Sequence, residues 1–237
     1  QSMLVDSTLL EPEEIELSEE EKALRERKRI AGRKGIVDYD WGTADTILVP
    51  LGGDLHLVTL TGDGPQTRQL TKTEAFEYDA RVSPKGHYVS FVRDGAVFVI
   101  DLATGEERQI TPDAEPDKAI SYGVAEFVAQ EEMSRYTGYW WSPDERHIAF
   151  TKVDESPVDV IERFDIAAEK TTVIDQRYPR AGTANALVDL FVHDLKSGED
   201  TRLASVGPDT YLARVNWISD SLWFQTVNRD QTEIRYN

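Results

Sequence analysis

The sequence predicts an all-β protein, a partial β-propeller of about three and a half four-stranded antiparallel blades with an N-terminal surface helix. Three observations predict it. Apolar residues alternate with period two from Ile36 onward. Anchors recur at Trp41, Val82, Trp141 and Trp217, and two of them run straight into a Ser-Pro turn, at Ser83-Pro84 and Ser142-Pro143. Once the insertions 113–138 and 154–186 are set aside, each copy is about 40 residues long, the size of a blade. A sandwich of short strands is the rival fold, but it has no reason to reuse the turn.

In chain order, Gln1-Ser2-Met3 resembles the remnant of a cleavable tag and is left out of the fold argument. Residues 4–35 form an acidic lead-in and a helix, predicted over 11–31. Ser18 and Glu21 make a Ser-x-x-Glu capping box, Glu21 and Arg25 are spaced as an i,i+4 pair, and Gly32 ends the helix. Its apolar stripe is thin, so it lies on a surface, and the seven glutamates between Glu11 and Glu21 read as a solvated run.

Residues 36–237 form an incomplete propeller domain. The first copy pairs Thr46–Val49 with Leu55–Leu60 across Gly52-Gly53-Asp54. The second has strands at Tyr78–Ser83, His87–Val92, Ala96–Leu102 and Glu107–Ile110. The third has Tyr139–Ser142, His147–Val153, Leu187–Leu195 and Thr201–Ala204. The fourth opens with Tyr211–Trp217 and Ser221–Val227, and its third strand is under way at Asn237. Within the second insertion, Val158–Ile166 and Lys170–Asp175 read as a projecting hairpin arm. So open a ring leaves bare strand edges, so the chain is expected to be part of a longer polypeptide.

The chain has 237 residues, 40% of them hydrophobic, and a net charge of -18. That charge argues against nucleic acid and anionic membrane surfaces as partners and suits a cationic group. There is no cysteine, hence no disulfide or thiolate site. No apolar run reaches the length of a transmembrane helix. No nucleotide-binding or zinc-protease motif and no Gly-x-Ser-x-Gly elbow occurs, so no cofactor or metal is expected and the segment by itself should catalyse nothing. The four histidines, His56, His87, His147 and His193, read as solvent-facing strand positions.

What a plain β-scaffold does not need is Glu131-Glu132, in the insertion before Trp140-Trp141-Ser142-Pro143. The flanking Ala125–Ala129 and Met133 predict a short helical turn. Adjacent helical side chains diverge by about 100°, so two carboxylates there flank a point at which an ammonium could satisfy both. An arginine such as Arg135 could screen their mutual repulsion. Gln130, uncharged and adjacent, offers an internal control. Taken alone, a Glu-Glu pair reads as a solvated loop.

Residues 126–144 resemble the signature of the dipeptidyl peptidase IV family, serine exopeptidases of the prolyl oligopeptidase clan: Glu-Glu, an aromatic pair, then Ser-Pro. Gln130 in place of a third glutamate resembles the branch related to dipeptidyl peptidases 8 and 9. Arg177-Tyr178-Pro179-Arg180-Ala181-Gly182-Thr183-Ala184-Asn185 resembles a second family block, in which Asn185 is expected to be structural. The acidic lead-in and helix look like bacterial members, which implies a periplasmic or secreted setting.

The resemblance implies an eight-bladed propeller capping a C-terminal α/β-hydrolase domain that holds the Ser-Asp-His triad. It implies that Glu131 and Glu132 grip the free amino terminus of a peptide substrate, that an arginine not placed by the motif meets the substrate carbonyl, and that the arm serves a homodimer. The alternative is a non-catalytic propeller module that binds peptide or protein.

Overall fold

The computed structural model describes residues 4–10, 17–43, 45–166 and 168–237. The tag-like residues 1–3 and most of the acidic run, 11–16, lie outside them. Among the described residues five antiparallel sheets form: four blades that follow one another along the chain, and a two-stranded arm that interrupts the third. Blade 1 comprises β1 (Asp40–Trp41), β2 (Thr46–Leu51), β3 (Asp54–Thr61) and β4 (Gly64–Gln69). Blade 2 comprises β5 (Glu77–Val82), β6 (Tyr88–Arg93), β7 (Ala96–Asp101) and β8 (Glu107–Gln109).

The first insertion supplies β9 (Ile120–Tyr122) and helix α3 (Phe127–Met133), preceded in the chain by α1 (Ser7–Leu10) and α2 (Glu19–Arg27). Blade 3 begins with β10 (Tyr139–Trp141) and β11 (His147–Asp154). The arm, β12 (Val160–Ile166) paired with β13 (Thr171–Arg177), then leaves the sheet. The blade resumes with β14 (Leu187–Asp194) and β15 (Asp200–Val206). Blade 4 holds β16 (Thr210–Ile218), β17 (Ser221–Asn228) and β18 (Ile234–Tyr236). The predicted strands are thus present in all four copies and the hairpin arm is real. The strand β9, which joins the edge of β11 at Lys152–Asp154, was not anticipated.

Period-two alternation packs blade on blade. In β6, Val89 and Phe91 face blade 1 and join Leu48, Leu55 and Leu57. Val92 faces the other way, into a cluster with Tyr139, Trp141, Ile148 and Phe150. In β11, Ala149 and Val153 turn from that cluster toward Leu190, Leu212 and Val215. Each such side chain contributes about 1.5–3 kcal/mol when fully buried. The outer face of blade 1 is covered by Val5, Leu10 and Ile36 of the N-terminal segment.

The repeated turn has a mechanical reason. Ser83 Oγ accepts the N–H of Tyr88 and Ser142 Oγ accepts that of His147, both at 2.9 Å, so each serine closes its own turn. Those same two residues receive the next blade's anchor: Trp141 stacks on Tyr88 at 5.7 Å and Trp217 on His147 at 6.2 Å. The left-handed turn position is Gly86 in blade 2 (φ 81°) and Glu145 in blade 3 (φ 63°). Glu145 reaches back to accept hydrogen bonds from Ser83 Oγ and the Lys85 N–H, with His87 Nδ1 at 2.6 Å, which latches one blade to the other.

Two expectations need correcting. The α2 helix begins at Glu19, with Ser18 as N-cap accepting the Glu21 N–H, and ends at Arg27 well before Gly32. Arg29 takes the left-handed position at φ 59°, and the N–H groups of Arg29 and Ile30 fold back onto Glu26 O and Arg25 O. This is the Schellman closure, made here by an arginine where glycine is the usual occupant. Of the histidines, His56 and His193 are buried. His56 lies on the strand face covered by the N-terminal segment, and burial pushes its pKa down. His193 Nδ1 lies 2.8 Å from Asp200 Oδ1.

Candidate functional site

Glu131 and Glu132 lie in the last turn of α3, which has no acidic residue in its first turn and no basic residue in its last. That is the wrong end for carboxylates, since the free carbonyls of a helix C-terminus already carry negative partial charge. Their placement therefore works against the helix and concentrates negative potential at one spot. Glu131 is partly buried and Glu132 is exposed.

The helix is placed by contacts at its start and along its buried face. Ala129 is fully buried, and α3 packs against β16. Phe127 meets Tyr178 edge-on at 5.0 Å, so the Tyr-Pro block after the arm braces the start of the helix. Asn185, at the other end of that block, is buried, and its Nδ2 donates to Tyr211 Oη at 3.3 Å, tying the insertion to blade 4. Gly138 runs so close to the Gly123–Val124 backbone that an added Cβ would come within 2.3 Å of Val124 O. Only glycine lets the chain pass from α3 into β10 there.

The N-terminal helix lies over this region. Arg27 Nη1 donates to Gln130 Oε1 at 3.1 Å and its guanidinium covers the Phe127 ring, while Tyr136 Oη donates to Arg27 O at 3.3 Å. Arg29 Nη2 lies 3.8 Å from Glu131 Oε2 with its own side chain 81% exposed. The buried face of α2 carries the predicted Glu21–Arg25 pair, at 2.6 Å.

Two sequence readings change. Arg135 does not screen the pair: it is buried, and its Nη2 donates to Glu126 at 2.6 Å. Gln130 is not an inert neighbour, because its carbonyl holds Arg27 and its amide donates to Ala125 O. Sequence reasoning read Arg29 only as a basic residue at the end of the N-terminal helix and missed that it reaches Glu131. It belongs to the N-terminal segment, far from the pair in sequence, and the signal that could have found it is an arginine where the helix stops without a glycine.

On the channel side, the inner strands β1, β5, β10 and β16 and the loop Ser134–Thr137 line a cleft of about 520 Å³. Asp79 sits there at a β-bulge with φ 49°, and its Oδ1 accepts from Arg81 Nη2 at 2.8 Å. Burial raises the Asp79 carboxyl above its ordinary range despite the Arg81 charge. Behind α3, a cleft of about 810 Å³ runs between α2 and blade 2. Glu155 lines it, its carboxyl pushed up by burial and pulled back in part by Arg27 and Arg177. Among the described residues no cluster of three or more His, Cys, Asp or Glu could hold a metal ion. No described helix is long and apolar enough to cross a membrane.

A family model described as the dipeptidyl peptidase IV N-terminal region matches residues 49–237. Human dipeptidyl peptidase 8 is 30% identical over 258 residues, covering 92% of this chain and 28% of the relative. A probable dipeptidyl-aminopeptidase B of Ajellomyces capsulatus is 32% identical over 166 residues, 62% of this chain and 18% of the relative. The chain therefore spans less than a third of the length of these relatives. The crystal structure of Porphyromonas gingivalis dipeptidyl peptidase 4 superimposes with a TM-score of 0.72 at 23% identity, covering 89% of this chain and 32% of that one. That likeness bears on the fold alone.

Proposed function

Because this chain belongs to the dipeptidyl peptidase IV N-terminal-region family, we propose that it is the propeller portion of a serine dipeptidyl peptidase, and that Glu131 and Glu132 bind the free amino terminus of its peptide substrate. The triad belongs to an α/β-hydrolase domain outside this sequence, to which the propeller controls access. The observation that carries the reading is the seating of both carboxylates at the negative end of α3, where they disfavour the helix and suit an ammonium. Arg29, beside Glu131, is the arginine we assign to the substrate carbonyl.

Fixing the amine fixes the bond to be cut. Two extended residues span roughly 7 Å, so only the peptide bond that far from the glutamates reaches the nucleophile. Blocked amino termini lose the grip, and binding energy remote from the scissile bond sets its position. In the full-length protein, Glu131→Gln and Glu132→Gln keep shape and remove a charge. Loss of a charge-assisted contact costs a few kcal/mol, so kcat/KM on a free-amine dipeptidyl substrate should fall by roughly two decades or more. Acetylating the substrate amine should do the same to the parent enzyme. Near-parental rates in both variants would return the pair to a solvated helix end.

A further inference from the structure

Helix α3 cannot hold the two glutamates in place by itself. It has seven residues, well below the length at which isolated helices persist, and its acids sit at its unfavourable end. Glu126 occupies its N-cap, yet the Glu126 side chain caps no helix N–H. The carboxylate instead crosses the whole helix to accept from Arg135 Nη2, two residues beyond the C-terminus. Both partners are buried. Arg135 Nε donates to Leu212 O on β16 at 3.2 Å and Nη1 to Thr137 O at 2.9 Å, while the Arg135 N–H bonds Ala129 O. One guanidinium thus joins the start of α3, the loop into blade 3 and the inner strand of blade 4, while the same residue's backbone N–H closes the end of the helix. The Arg135 charge is engaged by Glu126, Leu212 O and Thr137 O, so it is not spent on either glutamate of the pair.

We propose that Glu126 and Arg135 are positioning residues for the ammonium site: a buried staple that sets the orientation of Glu131 and Glu132 relative to the inner strands. The proposal rests on the assignment of that pair to the substrate amine. A planar fork is required, because three carbonyl or carboxylate partners lie in different directions around one side chain. Lysine keeps the charge but cannot reach all three.

The test is carried out on the full-length protein with a chromogenic dipeptidyl anilide bearing a free amine. Arg135→Lys should raise KM about tenfold, while in a Glu131→Gln background the same change should raise it less than twofold, because the staple acts through that carboxylate. Glu126→Gln should repeat the pattern, and it carries the comparison if Arg135→Lys does not fold. An equal rise in KM in both backgrounds would overturn the proposal, as would a lowered melting temperature with KM unchanged. If Glu131→Gln alone leaves KM untouched, the ammonium assignment fails and this inference falls with it; if Glu131→Gln matters and the staple variants do not, only the staple is lost.

Discussion

The guanidinium of Arg29 stands 3.8 Å from the carboxylate of Glu131, from the left-handed closing position of a helix that belongs to no blade. An exposed pair of this kind contributes about 1 kcal/mol or less to stability. Its backbone position costs on the order of 1–2 kcal/mol for a residue other than glycine. If Arg29 serves the site as proposed, its side chain and its backbone make opposite demands on that position.

Arg29→Gly should accordingly separate stability from function. Relieving the left-handed backbone should leave the melting temperature unchanged or raise it by roughly 2–4 °C. On free-amine substrates KM should rise about tenfold or more, the worth of a hydrogen bond to a charged group. Calorimetry and steady-state kinetics on the same preparation check it, and an unchanged KM would remove Arg29 from the site.

The arm is expected to make a homodimer. It forms a two-stranded sheet of its own, pairing Phe164 with Val173, and leaves Phe164 57% and Ile166 77% exposed. Apolar side chains projected this far from a core mark a surface that another molecule covers. Val158, read as part of that face, is instead buried at the root of the arm. In the full-length protein, Phe164→Asp with Val173→Asp should convert dimers to monomers in sedimentation velocity. A dimer that survives both changes is built elsewhere.

Acid should unlatch blade 3 from blade 2. Burial alone would raise the Glu145 carboxyl, but hydrogen bonds from Ser83, His87 and the Lys85 N–H outweigh it and hold the pKa below the usual glutamate range. The stabilisation is therefore complete above the unfolded value of about 4.3 and is lost as pH falls through the lower folded value. Glu145→Gln should lower the melting temperature at neutral pH by roughly 3–8 °C, on the scale of a charged hydrogen bond in a chain this size. It should also flatten the acid limb of the melting curve. If the variant and parent lose stability in parallel below pH 5, the latch contributes nothing.

What the sequence determined by itself was local. Alternating side chains decide strands, so His87–Val92 could be assigned to a strand without any partner in view, though not that Val89 and Phe91 on one face and Val92 on the other would both be buried. The Ser-Pro turns were legible because each serine bonds an N–H only five residues on. The same holds for Ser18 capping Glu21 and for the Glu21–Arg25 pair.

What tertiary structure decided was the meeting of segments far apart in the chain. No periodicity ties Arg29 to Glu131, Arg27 to Gln130, or Arg135 to Leu212, and each of these contacts exists only once α2, α3 and β16 have docked. Tertiary burial also overturned the simple readings of His56 and His193, since strand alternation says which residues share a face but not which face another element covers. The Glu pair belongs to both worlds. Its helix, and with it the seating of the carboxylates in the last turn, could be read from Ala125–Met133, but that Arg135 turns away to Glu126 and Arg29 comes to Glu131 follows only from how the chain folds back on itself.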